Sequence, residues 1–331
     1  MAKGRDAVFA AMRWLTVGAS VLLAAVPTGP AAAAPARGAE GARVVEERGS
    51  GERITDLTVS SPALGGEGRV RLLTPEGWEE RGAGDSWPVL YLLPGGDGDH
   101  LTWTVDFRIQ DLPELRDTVV VMPDMPLFGF YSDWWNGGAG GPPAVATYHL
   151  DEVVPLLERR YGAGERRVAA GLSQGGFGAV SYAARNPGMF RAVASYSGFV
   201  HPLAQRRLWA AHDLYHLAHR LRGVPVYLAS GDGRLGALDP PGTSPDEEVP
   251  GLEDPENPFP DDVLSPTETL MGEESRLLAE RLRAAGADVT THFYAGTHAP
   301  AYWEAELRRS LPMLLEALHG ETRFVPSAAM A

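Results

Sequence analysis

There is no cysteine anywhere in the 331 residues. The fold must therefore hold without disulfides, and a metal site built on thiolate is excluded. A long apolar run is missing as well. A helix that crosses a bilayer needs about 20 predominantly apolar residues, and the stretch from Trp14 to Val26 falls short of that. Positive charge is in deficit: 29 Lys and Arg stand against 43 Asp and Glu, a formal charge of −14. That balance lacks the electrostatic footprint of a nucleic-acid binder. Long linkers and internal repeats are absent too, so a single large domain is the expected organisation.

The first residues do carry an export pattern. Lys3, Arg5 and Arg13 make a basic start, the short apolar run follows, and the small residues Ala31 to Ala36 offer a cleavage site. Residues 1–36 therefore read as a signal peptide, which sends the mature protein to the cell envelope or the medium without stable membrane insertion. Residues 37–51 are small, charged and aperiodic and read as a flexible lead-in. Residues 52–320 read as the folded domain, a monomer, and 321–331 as a disordered tail.

Within that domain, strand-like runs occur at Ile54–Ser60, Arg69–Leu73, Val89–Leu93, Val119–Met122, Arg167–Ala170, Ala192–Ser195, Val224–Ala229 and Val289–Tyr294. Helical spacing of apolar residues marks Gly176–Arg185, Ser275–Ala285 and Ala301–Leu318, and also Thr147–Arg160, where Pro155 should kink or shorten the helix. Short apolar strands alternating with helices predict an α/β fold: a mainly parallel sheet, helices on both faces, and an antiparallel N-terminal start. In such sheets the chemistry belongs in the loops that follow the carboxyl ends of the strands.

The loop after Arg167–Ala170 reads Gly171-Leu172-Ser173-Gln174-Gly175, a G-x-S-x-G nucleophile elbow. With 39 glycines in the chain, the pentapeptide alone is a weak signal. Its context gives it weight, because a strand run precedes it and a helix-forming run follows. A serine hydroxyl needs a base within hydrogen-bond reach. In this arrangement the histidine follows the last strand, which is where His298 stands; His292 lies inside a strand pattern and His319 at the end of the last helix. The third member should be a carboxylate beyond Val224–Ala229 that orients the imidazole. Asp239 is taken as that residue, with Asp232 and Glu268 as alternatives to be decided by distance from His298. Backbone donors for an oxyanion are expected from Gln174, just after the serine, and from Gly96 in Pro94-Gly95-Gly96-Asp97.

Two other clusters could carry chemistry. His212, His216 and His219 share one helical face, although Leu208, Leu214, Leu217 and Leu221 make that segment an adequate amphipathic helix, and no metal is assigned. The acidic, proline-rich stretch 246–262 reads as a solvated loop or flap, its spacing matching no EF-hand loop. The expected chemistry requires no cofactor.

Four segments carry a family resemblance extending from about Arg53 to about Leu318: Tyr91-Leu92-Leu93-x-Gly95, Phe130-Tyr131-Ser132-Asp133-Trp134, the elbow at Ser173, and Gly296-Thr297-His298-x-x-x-Tyr302-Trp303. The chain resembles the esterase family that includes esterase D and, more closely, the secreted mycolyltransferases of the antigen 85 type. The resemblance implies an α/β-hydrolase fold and a Ser-His-carboxylate acyl-enzyme mechanism acting on ester or acyl small molecules or lipids. It supports Ser173, His298, Gln174 and Gly96 and implies that Tyr131, Asp133 and Trp134 border the acyl or acceptor site; buried aromatic packing with a hydrogen-bonded aspartate is the alternative for these three. The departures bear on substrate. The family's sugar-holding arginine after the oxyanion loop is Asp97 here, and its tryptophan two residues past the histidine is Pro300. Its triad acid is a glutamate, and ungapped counting places that position at Ala237.

Overall fold

A computed structural model describes residues 41–96, 98–126, 129–134, 142, 144–200, 213–246 and 258–320. The expected signal peptide and tail lie outside these residues, as do His212 and residues 247–257 of the acidic stretch.

Nine strands form one sheet in the order β1-β2-β3-β5-β4-β6-β7-β8-β9. They are β1 (Arg43–Gly51), β2 (Ile54–Ser61), β3 (Gly66–Leu73), β4 (Trp87–Leu93), β5 (Val119–Pro123), β6 (Ala163–Leu172), β7 (Val193–Tyr196), β8 (Pro225–Ser230) and β9 (Asp288–Phe293). The first three pair antiparallel, and β3 joins β5 antiparallel. From β5 across to β9 every pairing is parallel. The helical segments are α1 (Thr102–Val105), α2 (Val145–Thr147), α3 (Val154–Arg160), α4 (Gln174–Arg185), α5 (Leu214–Leu217), α6 (Pro266–Ala284) and α7 (Pro300–His319).

The apolar run of β4 explains its central place. Val89, Tyr91 and Leu93 point into one core layer with residues of α3, α4 and α6, while Leu90 and Leu92 point into the other with Trp103 and α7. A strand buried on both faces needs no polar alternation. Helix α7 buries Leu307, Leu311, Leu314 and Leu318, a stripe at helical spacing, against this second layer.

Two expectations meet local corrections. Residues 43–51 are a paired strand rather than a flexible lead-in, running antiparallel to β2 from Arg43 opposite Ser60 to Gly51 opposite Ile54. Its residues are almost all exposed, so no apolar pattern marks it: an edge strand held by backbone hydrogen bonds need bury no side chains. Around Pro155 the helix is indeed interrupted. A π-helical segment, Tyr148–Val153, separates α2 from α3, and the proline falls in the first turn of α3, where its missing N–H costs least.

Candidate active site

The parallel strands end at one rim, and the loops leaving β4, β6, β7, β8 and β9 meet there. Ser173 sits between β6 and α4 with φ 52° and ψ −122°, a strained conformation for a residue with a side chain. The elbow is closed by backbone contact. A Cβ on Gly171 would lie 2.1 Å from the Gly175 carbonyl oxygen, and one on Gly175 would lie 2.2 Å from that of Leu93. Glycine is therefore required at both flanks, and the close approach brings the start of α4 against the end of β4. The Ser173 amide donates to the Tyr196 carbonyl (2.9 Å), which fixes the elbow against β7.

Gln174 opens α4, so its amide lies at the positive end of a twelve-residue helix. Gly96 rests on the side chain of the same glutamine: a Cβ there would lie 2.3 Å from its Nε2. The two residues expected to donate to an oxyanion are thus neighbours. Behind them stands Tyr131, whose hydroxyl donates to the Pro94 carbonyl at 2.6 Å and whose ring fills the space over Gly178. Tyr131 is fully buried, so the expectation that it borders an acyl or acceptor site is corrected to the packing alternative: it supports the loop that carries Gly96. Asp133 is exposed and accepts hydrogen bonds from the Thr147 amide and hydroxyl, both at 3.0 Å, which ties it to the end of the α2 turn. Trp134 is half-buried at the end of that described loop segment.

His298 follows β9, and its Nδ1 meets Glu268 Oε2 at 2.6 Å. This corrects the choice of Asp239. The carboxylates of Asp239 and Asp232 are both engaged elsewhere, Asp239 with Thr297, Tyr302 and the Gly236 amide, and Asp232 with the amides of Arg234 and Gly296. Glu268 has no exposed surface, and an isolated buried carboxylate would be strongly destabilising. Here three donors converge on its Oε1: the Ser197 hydroxyl (2.8 Å), the Ser230 hydroxyl (2.7 Å) and the Gly231 amide (2.5 Å). The other oxygen is left for the imidazole. Ser197 also accepts from the Trp303 indole (3.1 Å), and that indole stands edge-on to His298 with ring centroids 4.8 Å apart.

The acid's place in the chain hides it from a reading by position. It does not follow β8 directly but arrives on the first turn of α6, after an excursion that leaves at Gly233 and returns at Ser265. Ser265 and Glu268 have the spacing of a capping box, a pattern whose usual reading is a helix start. Both side chains are diverted: the Ser265 hydroxyl donates to Asp246, and the Glu268 carboxylate turns inward. Burial pushes the Asp246 carboxyl above the usual carboxylate range, against the lowering effects of the Ser265 hydrogen bond and nearby His298.

Ser173 and His298 are brought to the same rim through one continuous set of contacts, Ser173 to Tyr196, then Ser197 to Glu268, then Glu268 to His298. Among the described residues no hydrogen bond joins the serine hydroxyl to the imidazole directly. Such bonds are often long without substrate and tighten in the reacting complex. His216 is exposed and paired with Asp213 (2.6 Å), and no group of three or more metal-ligating residues exists among the described residues.

The sequence model of the family described as "Putative esterase" matches residues 61–314. The chain belongs to that family. Two curated esterase relatives from Mycobacterium tuberculosis, Esterase MT1326 (strain CDC 1551 / Oshkosh) and Esterase Rv1288 (strain ATCC 25618 / H37Rv), are each 32% identical to it over 285 residues. Each alignment covers 78% of this esterase-family chain and 58% of the relative, so the chain spans little more than half their length. Three solved structures share its fold. A ferulic acid esterase superposes with TM-score 0.60 at 18% identity, covering 84% of this chain and 100% of the other. An S-formylglutathione hydrolase from Agrobacterium tumefaciens gives 0.57 at 17%, covering 83% and 99%. MPT51 (FbpC1) from Mycobacterium tuberculosis gives 0.57 at 21%, covering 79% and 97%. These likenesses establish the α/β-hydrolase fold of this esterase-family member.

Proposed function

We propose that the chain is an exported serine carboxylesterase that works through an acyl-enzyme, with transfer to an alcohol in place of water when the site is sheltered. Ser173 attacks the ester carbonyl while His298 takes its proton. The amides of Gln174 and Gly96 hold the negative charge that develops on the carbonyl oxygen. The imidazolium then gives its proton to the leaving alcohol, and neutral His298 later activates water or a second alcohol. Glu268 fixes the tautomer with Nδ1–H pointing at it, leaving Nε2 for the serine, and offsets the charge on the ring.

The observation that supports this reading most strongly is the buried Glu268 carboxylate, satisfied by three donors on one oxygen and presenting the other to His298 at 2.6 Å. A carboxylate that serves only structure has no need to orient an imidazole at the rim that carries a strained serine. Ser173→Ala is expected to lower turnover of p-nitrophenyl esters by about 10⁴-fold or more and to abolish labelling by a fluorophosphonate, with the melting temperature unchanged. Activity near wild type in that variant would refute the assignment.

A further inference from the structure

The aspartate that does not touch the histidine still governs where the histidine stands. Thr297, the residue before His298, is 5% exposed, and its hydroxyl donates to Asp239 Oδ1. The other oxygen, Oδ2, accepts from the Gly236 amide (2.7 Å) and from the Tyr302 hydroxyl (2.8 Å). One carboxylate thus grips both sides of His298, the residue before it and the first turn of α7 after it, and anchors them to the loop that leaves β8.

That loop and the histidine loop are in direct backbone contact. The Gly233 amide donates to the Gly296 carbonyl (2.9 Å), and a Cβ on Gly236 would lie 1.7 Å from the Ala295 carbonyl oxygen. Tyr302 stacks on Tyr294 with centroids 4.8 Å apart, and its hydroxyl also accepts from the Leu238 amide. Burial and the hydrogen bond to Asp239 push the Tyr302 phenol up to about 12, so it is a neutral donor through the physiological range. No cation pairs with Asp239 among the described residues; neutral donors hold it, all of them on the three segments that frame the imidazole.

We infer that Asp239 is a positioning residue, a carboxylate clamp acting through Thr297 and Tyr302 that holds the His298 imidazole at the distance from Ser173 needed for proton transfer. The inference rests on the catalytic reading above. Glu268 restrains the ring at Nδ1 but not the backbone that carries it. Near-attack geometry is sensitive to displacements of about 1 Å, which can cost on the order of 100-fold in rate, so the loop needs an anchor of its own.

Thr297→Val removes only the donor and keeps the shape. It is expected to lower kcat for p-nitrophenyl butyrate about tenfold, with KM within about twofold of wild type. Thr297→Ser keeps the donor and is expected to retain the wild-type rate. Asp239→Ala should lower kcat further, and the Asp239→Ala, Thr297→Val double variant should be no slower than Asp239→Ala alone, because the two side chains act as one unit. A second readout is independent of turnover: the downfield proton resonance of the His298 Nδ1–H bonded to Glu268 should exchange with water at least about tenfold faster in Thr297→Val. Wild-type kcat and unchanged exchange in Thr297→Val, equal losses in the Val and Ser variants, or additive losses in the double variant would each overturn the clamp. If the wild-type protein hydrolyses no ester, the functional reading falls, and the exchange measurement alone decides the clamp.

Discussion

Glu268 is the residue on which the electrostatics of the site turn. It lies in a medium where an unpaired charge would be expelled, yet its two oxygens are fully used, one by three donors and one by His298. Glu268→Gln preserves the shape but removes the charge and presents a donor where an acceptor is needed. The expected result is a fall in kcat of about 10³ to 10⁴, the scale at which loss of the orienting carboxylate leaves the imidazole in the wrong tautomer. Steady-state kinetics on a p-nitrophenyl ester would measure it, and a fall below tenfold would contradict the role. Ser173 and His298 each carry a local signal in the sequence, the glycine-flanked turn and the position after the last strand, and the structure places them after β6 and β9. Glu268 stands in the sequence only as an alternative to Asp239, since it shares its local pattern with any helix start and its partner lies 30 positions away in the chain. Asp239 was the most conspicuous acid near the expected place, and its real partners are two hydroxyls and an amide that no spacing rule identifies.

At the scale of elements, the strand-turn-helix unit of β6 and α4 is tightly constrained by backbone contact. Gly175 touches the Leu93 and Pro94 carbonyls so closely that a methyl group would sit 2.2 and 2.5 Å from their oxygens. Gly175→Ala must push β4 and α4 apart. It is expected to destabilise the fold by about 3 kcal/mol, the upper range for overpacking, and to abolish activity together with stability, as chemical denaturation and esterase assay would show. The eight strands expected from apolar runs all form, within a few residues of their expected bounds; the central ones, β4, β5 and β7, are buried on both faces and advertise themselves by composition. Strand β1 does not, since it is exposed and pairs through its backbone and through polar side chains such as Ser50 and Glu47. The break around Pro155 is legible in kind, but the π-helical segment beside it is not, because apolar spacing over so few residues does not separate α from π turns.

For the molecule as a whole, with no cysteine to staple it, stability under acid rests on buried ionisable groups. His149 is fully enclosed and its imidazole is held down at about 4 by burial, against the raising effect of its hydrogen bond to the Asp124 carbonyl. It contributes stability that is present above the ordinary histidine range and is lost as pH falls through about 4. Asp124 is opposite in sign. Burial pushes its carboxyl up to about 6, so its contribution is present below the ordinary aspartate range and is lost as pH rises through about 6. Between about pH 6 and pH 4 the two oppose each other, and the acid sensitivity of one is offset by the other. Asp124→Asn removes the offset, so its melting temperature should fall more steeply than that of wild type across this interval in calorimetric scans at stepped pH. Parallel curves for the two proteins would contradict the compensation.

The point where the chain departs after β8 and rejoins at α6 has a consequence for how this scaffold can diversify. The Gly233 carbonyl accepts from both the Leu264 and Ser265 amides, at 2.8 and 2.9 Å, and Arg234 bridges to Val263. A segment sewn shut at its root behaves as a cassette. With that closure made at the root, the helix bearing Glu268 keeps its register with the histidine through contacts close to the sheet. Sequence change that spares those root contacts therefore need not disturb the machinery beneath them.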